Sequence, residues 1–267
     1  MSRIGLLAGS GKLPIVFSKT ARAKGDTVIA FALKGVTEDR LKEEVDKVHW
    51  LGWGDYAKAL LLLATERIGK VIMLGKMEKS ALIKKEDRLD TASKKLLGLL
   101  KDKKDYTILN EVTKVLTSMG IEVLDVRAYL KDLIPAKGLL TRSAPTEGER
   151  SDIEYGREAA LQLSMFDIGQ TVAVKDRAVI AVEAVDGTDE TIERAGRLIG
   201  GGFVVVKTAR PDQDMRLDVP LAGPGTLRAL IEAKGRVLAM EGGKTILMDK
   251  DEVIKLADEN NISVVII

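Results

Sequence analysis

The chain has 267 residues, 45% of them hydrophobic, and 42 Lys and Arg stand against 40 Asp and Glu for a net charge of +2. That length allows one large domain or two ordinary ones with a real core, and the even mixing of charges argues against a dedicated nucleic-acid binder. With no cysteine and a single histidine, His49, the chain excludes disulfides, thiolate catalysis, Cys-based zinc sites and multi-His metal motifs.

In the first half, apolar runs at residues 4–8, 27–33, 48–53, 70–74 and 121–126 read as strands. Between them lie helical periods at 13–24, 38–45 and 56–67, and two helices across 90–119. Continuous apolar strands separated by amphipathic helices predict a parallel sheet covered on both faces. Right-handed crossovers make it an open, doubly wound, Rossmann-like sheet over residues 1–132. His49 falls inside a strand and reads as a packed residue; a Ser-His-Asp triad would have to use it. Residues 133–150 combine prolines, glycines, serine and threonine without a period, which reads as a linker.

Residues 151–267 form a second α/β domain with a mixed sheet. It opens with a helix at 152–165 and a hairpin of 171–174 and 179–185, turned at Lys175, Asp176 and Arg177. A helix at 188–198, a strand at 203–208 and a charged loop follow. A helix at 225–234, strands at 237–240 and 245–248, a helix at 250–260 and a strand at 263–267 complete it. The longest apolar run, 57–64, is too short to span a bilayer, and no signal peptide precedes the first strand, so a cytoplasmic location is expected. Lysine-rich stretches at 84–85, 94–95 and 101–104 make a basic face, either for an anionic membrane surface or simply for water.

Several turns carry candidate chemistry. The first strand runs into Gly9, Ser10, Gly11 and Lys12, whose backbone N–H groups and helix N-terminus suit a phosphate. The spacing is neither a P-loop, since Leu6 and Leu13 stand at its key positions, nor a dinucleotide fingerprint, since Pro14 replaces the third glycine. Strand ends at Gly52–Asp55 and at Gly75 and Lys76 would meet the same rim. Gln170, before the hairpin, and Gly187, Thr188 and Asp189, opening a helix, are comparable anion-facing turns, with a plain cap by Thr188 as the equal alternative. The segment 207–220 packs Lys207, Arg210 and Arg216 among Asp212, Asp214 and Asp218 and is bracketed by Pro211 and Pro220. Cations there would hold phosphate oxygens while a carboxylate binds a metal or orients a water. A solvated loop with fortuitous ion pairs is the competing reading. Without His or Cys clusters, a metal for phosphoanhydride chemistry would need oxygen ligands, which favours Mg²⁺ or Mn²⁺.

Four blocks, GLLAGSGKLP, FDIGQTVAV, AVEAVDGTDE and QDMRLDVP, fall in one order along the chain. Together they resemble the metal-dependent UDP-2,3-diacylglucosamine pyrophosphatases of lipid A biosynthesis, the type unrelated to the calcineurin-like enzymes. The resemblance implies two domains with substrate between them, Mg²⁺, and attack of water on the α-phosphorus to give UMP and 2,3-diacylglucosamine 1-phosphate. It assigns the Q-x-x-R-x-D-x-P pattern to Gln213, Arg216, Asp218 and Pro220, with Asp218 as the key carboxylate and metal site. Gly9, Ser10, Gly11, Lys12, Gly75, Lys76, Gln170, Gly187, Thr188, Asp189 and Lys207 are the expected substrate-binding residues. Ser10 departs from the family's commoner all-glycine run, and Lys76 stands where an asparagine is frequent. The expected partner is a lipid-linked sugar nucleotide and not a nucleic acid. A peripheral contact with the inner membrane and a homodimer are compatible with the chain. A non-catalytic sugar-nucleotide-binding protein is the alternative function. A nicotinamide oxidoreductase is disfavoured by Pro14 and by Leu33-Lys34-Gly35, which places no acid at the end of the second strand.

Overall fold

The computed structural model describes residues 1–76, 91, 94, 98 and 105–267. They form two compact units, Met1–Lys131 with Met215–Asp218, and Asp132–Asp214 with Val219–Ile267. The expected lysine face falls outside the described residues at 84, 85, 95, 101, 103 and 104, as does Met77.

The first unit runs β1 (Arg3–Ala8), α1 (Leu13–Ala23), β2 (Thr27–Leu33), a 3₁₀ turn (Asp39–Glu43), β3 (Lys47–Leu51), α2 (Tyr56–Thr65), β4 (Lys70–Leu74), α3 (Asp105–Ser118), β5 (Glu122–Val123) and α4 (Arg127–Leu130). The strands are all parallel, in the order β3-β2-β1-β4-β5. This is the doubly wound parallel sheet expected from the sequence, with its switch point between β1 and β4. Leu63, Val71, Leu116 and Ile29 are among the buried residues of one core cluster. Pro14 occupies the first turn of α1, where its missing N–H costs nothing, and Leu13, Ile15, Phe17 and Ala21 are buried.

Two expectations change here. The helix expected at 38–45 is only the short 3₁₀ turn, in which Leu41 is the buried residue. The Thr37 hydroxyl, donating to Ala8 O at 2.7 Å and accepting from Leu33 N at 3.0 Å, ties this connection back to the strands. The strand expected at 121–126 shrinks to two residues. Beyond it Leu124 N donates to Val71 O at 2.7 Å, but Val126 N turns to Met215 O at 3.0 Å.

The second unit runs β6 (Gly138–Leu139), α5 (Glu147–Met165), β7 (Thr171–Lys175), β8 (Ala178–Val182), α6 (Thr188–Ile199), β9 (Val204–Lys207), β10 (Leu221–Ala222), α7 (Pro224–Glu232), β11 (Val237–Met240), β12 (Ile246–Leu247), α8 (Lys250–Glu259) and β13 (Ser263–Ile266). Its six-stranded sheet has the order β6-β13-β11-β9-β7-β8. The central β13, β11 and β9 are parallel, while β6, β7 and β8 join antiparallel. β10 and β12 pair separately, so the run at 245–248 is not a strand of the main sheet. The hairpin turns at Asp176 and Arg177, with φ of 50° and 57°, the left-handed pair that two-residue hairpins favour. Buried Asp152 locks this turn by accepting from Asp176 N at 3.1 Å and Arg177 N at 2.6 Å.

The stretch expected as a linker is structured at both ends. Gly138 and Leu139 pair with β13, and α5 starts at Glu147, five residues before the expected position. A capping box explains the early start. Thr146 accepts from Glu149 N, while the Glu149 carboxylate accepts from Thr146 N.

Candidate functional site

At the carboxyl ends of β1 and β4 the backbone is tightly closed. Gly9 N donates to Leu74 O at 2.8 Å, and Ser10 and Lys76 exchange backbone hydrogen bonds of 2.9 and 3.0 Å. The Ser10 hydroxyl adds another to Lys76 O at 3.0 Å. A Cβ on Gly9 would lie 2.7 Å from Lys76 O, and one on Gly75 would lie 2.7 Å from Ser10 O. Both glycines are therefore required by this backbone approach. The structure thus brings Gly9, Ser10, Gly75 and Lys76 together, as their rim position implied. The same geometry spends the Ser10 N–H on Lys76, so the turn's openness lies further on. Gly11 and Lys12 are exposed, and a Cβ at Gly11 would meet nothing within 4 Å, although its φ of +91° strains any other residue.

The second unit gathers polar groups at the carboxyl end of β9, beside the start of β7 and the end of β8. Lys207, the last residue of β9, is 5% exposed. Its Nζ donates to Thr188 Oγ1 at 2.7 Å and Thr171 Oγ1 at 3.1 Å, and lies 3.9 Å from Glu183 Oε2. Glu183 in turn accepts from Thr188 Oγ1 at 2.6 Å and from Gln170 N at 3.2 Å. Burial pushes the Glu183 carboxyl up, but Lys207 and the hydrogen bonds from Thr188, Thr171 and Gln170 outweigh it, holding it below the usual carboxylate range. Gly187, with φ of 84°, is the N-cap of α6 and makes no side-chain cap. Thr188 does not cap the helix, since its hydroxyl is directed to Glu183. Asp189 is exposed in the first helical turn.

Just beyond β9, Ala209 N donates to Glu241 Oε2 at 2.9 Å, and Arg210 pairs with Asp167. Asp167 Oδ2, Gln170 Oε1 and Thr208 Oγ1 are buried and lack a hydrogen-bond partner. Such oxygens are where ordered water or a ligand atom completes a network. Lys244 Nζ donates to Arg210 O and Pro211 O at 3.3 and 3.1 Å and secures the turn that follows. Gln213 sits in that turn, its N bonded to Arg210 O at 3.1 Å.

Beyond it, residues 215–218 alternate. Met215 and Leu217 are buried, and Arg216 and Asp218 are exposed. The whole segment belongs to the first unit. Asp218 holds a φ of 30°, in the region that favours glycine. A non-glycine residue there carries about 1–3 kcal/mol of strain and persists only where its surroundings impose it, often at functional sites.

Glu183, Thr171, Asp167 and Glu241 were not singled out as site residues from sequence. Glu183, Thr171 and Asp167 lay inside two of the quoted blocks, but the cations that pair with Glu183 and Asp167, Lys207 and Arg210, come from the end of β9 and the loop after it. Among the described residues no three His or carboxylate side chains cluster to hold a metal. Mg²⁺ needs only one or two carboxylates when waters and substrate oxygens complete its shell, and exposed Asp218 suits such a site.

Two family models tile this architecture. The LpxI N-terminal domain matches residues 3–133, and the LpxI C-terminal domain matches residues 136–265. The chain belongs to the LpxI family. It is also 25% identical, over 97% of its length and 95% of the relative's, to the UDP-2,3-diacylglucosamine pyrophosphatase LpxI of Caulobacter vibrioides. The N5-carboxyaminoimidazole ribonucleotide synthetase of Thermotoga maritima aligns with 65% of this chain and 38% of its own, at 15% identity and a TM-score of 0.24. Biotin carboxylase of Campylobacter jejuni aligns with 74% of this chain and 42% of its own, at 10% identity and a TM-score of 0.25. At those scores the two structures carry no argument about this LpxI-family chain. Among the described residues, no helix is long and apolar enough to cross a membrane.

Proposed function

We propose that this LpxI-family protein hydrolyses the diphosphate of UDP-2,3-diacylglucosamine, releasing UMP and 2,3-diacylglucosamine 1-phosphate in lipid A biosynthesis. The observation that carries this reading is the end-to-end similarity to a pyrophosphatase of that name, with both family domains present in order. A purely sugar-nucleotide-binding role is not favoured by it.

Asp218 is the carboxylate expected at the reaction, either holding Mg²⁺ or directing the attacking water. Support comes from its exposure, its strained backbone and its place next to buried Leu217. Arg216, exposed two residues earlier, is a guanidinium suited to gripping a phosphate oxygen. Gln213 completes the motif from the turn fixed by Arg210 and Lys244. Bound Mg²⁺ or Mn²⁺ would neutralise diphosphate oxygens and acidify a bound water. The exposed turn at Gly11 and Lys12, together with Gly9, Ser10, Gly75 and Lys76, is expected to face the substrate in the first unit. Gln170, Gly187, Thr188, Asp189 and Lys207 are expected to do so in the second. Lys207 acts there through the Thr171, Thr188 and Glu183 network that holds it.

The deciding experiment is mass spectrometry of UDP-2,3-diacylglucosamine incubated with the protein and Mg²⁺. Release of UMP and the sugar 1-phosphate supports the reading, and intact substrate refutes it. Running the reaction in ¹⁸O-water locates the attack. Label in UMP marks the α-phosphorus, and label in the sugar phosphate marks the β-phosphorus.

A further inference from the structure

We infer that two adjoining segments of the second unit, the end of α5 with the loop after it (residues 164–170) and the loop 183–187, form an apolar rim that docks on the surface of a lipid bilayer. The inference rests on the proposed diacylated substrate, which it would let the protein meet where the acyl chains lie.

Met165, Phe166, Ile168 and Val185 are 66%, 68%, 44% and 92% exposed. Large apolar side chains grouped in this way are uncommon on a soluble surface and mark interaction sites. The two segments are held side by side. Gln170 N donates to Glu183 Oε2 at 3.2 Å, and Glu183 N donates to Thr171 O at 2.9 Å. A Cβ at Gly169 would run into the Glu183 carbonyl, so glycine lets the backbones touch. The four side chains therefore sit on one rim and not on separate parts of the molecule.

Ion pairing within the rim lowers the charge cost of approaching a bilayer. Each of the carboxylates between the apolar side chains is matched by a cation of the same unit: Asp167 by Arg210, Glu183 by Lys207 at 3.9 Å, and Asp186 by Arg194 at 2.7 Å. Paired carboxylates cost less to bring toward a low-dielectric, anionic surface than isolated ones. The rim is also continuous with the polar network around Gln170, Thr188 and Lys207. Apolar side chains inserted at the headgroup boundary would thus leave those polar groups beside the emerging substrate.

The test is co-sedimentation of the full-length protein with vesicles of phosphatidylethanolamine and phosphatidylglycerol that contain no sugar nucleotide. Phe166→Asp and Val185→Asp are each expected to weaken partition about tenfold or more, the scale of one buried large apolar side chain. Leu198→Asp is the control. Leu198 is 64% exposed but lies at the far end of α6, about 15 Å along the helix from Thr188, so its variant should bind like the parent. Thermal melts establish that each variant is folded, and Phe166→Ser serves if an aspartate variant is not. Vesicle binding that is lost in salt but untouched in the folded Phe166 and Val185 variants would overturn the inference. So would a wild type that ignores vesicles, an equal loss in Leu198→Asp, or variants whose sole change is from dimer to monomer. Since no turnover is read, a failure here is distinct from a failure to hydrolyse UDP-2,3-diacylglucosamine.

Discussion

Replacing Lys207 with Met tests the buried network of the second unit. The change keeps an unbranched side chain only one atom shorter and removes its charge. Glu183, whose side chain is 14% exposed, then loses the cation that opposes its burial, while the two threonine hydroxyls lose their ammonium partner. Removing one member of a buried ion pair typically costs 3–5 kcal/mol, because the other charge stays buried. For a unit of this size that lowers the melting temperature on the order of 10 °C. The pH dependence should change sign. In the parent, the Glu183 pKa is depressed on folding, so its stabilisation is present above the unfolded value and is lost as pH falls through the depressed folded one. In Lys207→Met, burial acts without its largest counterweight and raises the folded pKa. The destabilisation is then largest at neutral pH and shrinks as acid protonates Glu183. Melting curves of parent and variant from pH 7 down to about pH 4 read both effects, and Lys207→Met/Glu183→Gln should recover most of the loss. A variant that melts like the parent at neutral pH, or a difference that grows in acid, would refute the reasoning.

Asp218→Ala should leave a folded protein that still binds substrate but hydrolyses it about 10²–10⁴-fold more slowly or not at all, as initial rates and binding isotherms would report. Asp218→Gly should be equally inactive but more stable than Asp218→Ala by about 1 kcal/mol, because glycine accepts the φ of 30° without strain; paired denaturant melts measure that difference. Chelation should abolish turnover and added Mg²⁺ or Mn²⁺ restore it, so undiminished rates after exhaustive chelation would exclude a metal-dependent reaction. Gly9→Ala should destabilise by about 1–3 kcal/mol, since the new methyl meets Lys76 O at 2.7 Å, and a melt of the first unit reports it. Glu66 is held at a pKa of about 2 by Lys47, His49 and Arg3, so its stabilisation is present above the usual carboxylate range and is lost as pH falls toward 2; Glu66→Gln should flatten that acid limb of the melting profile.

The sheet of the first unit was legible because its strands are continuous apolar runs and its helices keep a 3.6-residue period, and both signals are local. The legibility failed where local pattern met distant hydrogen bonds. The period at 38–45 was real enough to suggest a helix, but Thr37 pins the chain to Ala8 and Leu33 and leaves room for a single 3₁₀ turn. The stretch 133–150 looked like a linker because it mixes prolines, glycines, serine and threonine without a period. A two-residue strand against β13 and a capping box at Thr146 have too few residues to show as a period.

The site divides in the same way. Glycines at 9 and 75 announced a close approach, and the approach exists, but the sequence could not say that the partner was backbone. It therefore credited Ser10 with an N–H that Lys76 O already occupies. Lys207 was visible as a charge at a strand end, yet its burial against Thr171, Thr188 and Glu183 depends on β9 lying antiparallel to β7. An apolar–polar alternation at residues 215–218 was readable in the sequence, and it holds in the fold, with Met215 and Leu217 buried. What the sequence could not supply is the backbone angle of Asp218. A residue that the chain anchors on Leu217 and holds at a strained φ is set in place before any substrate arrives. Pre-positioning of this kind would let a single carboxylate serve a reaction without reorganising, which is the role proposed for Asp218.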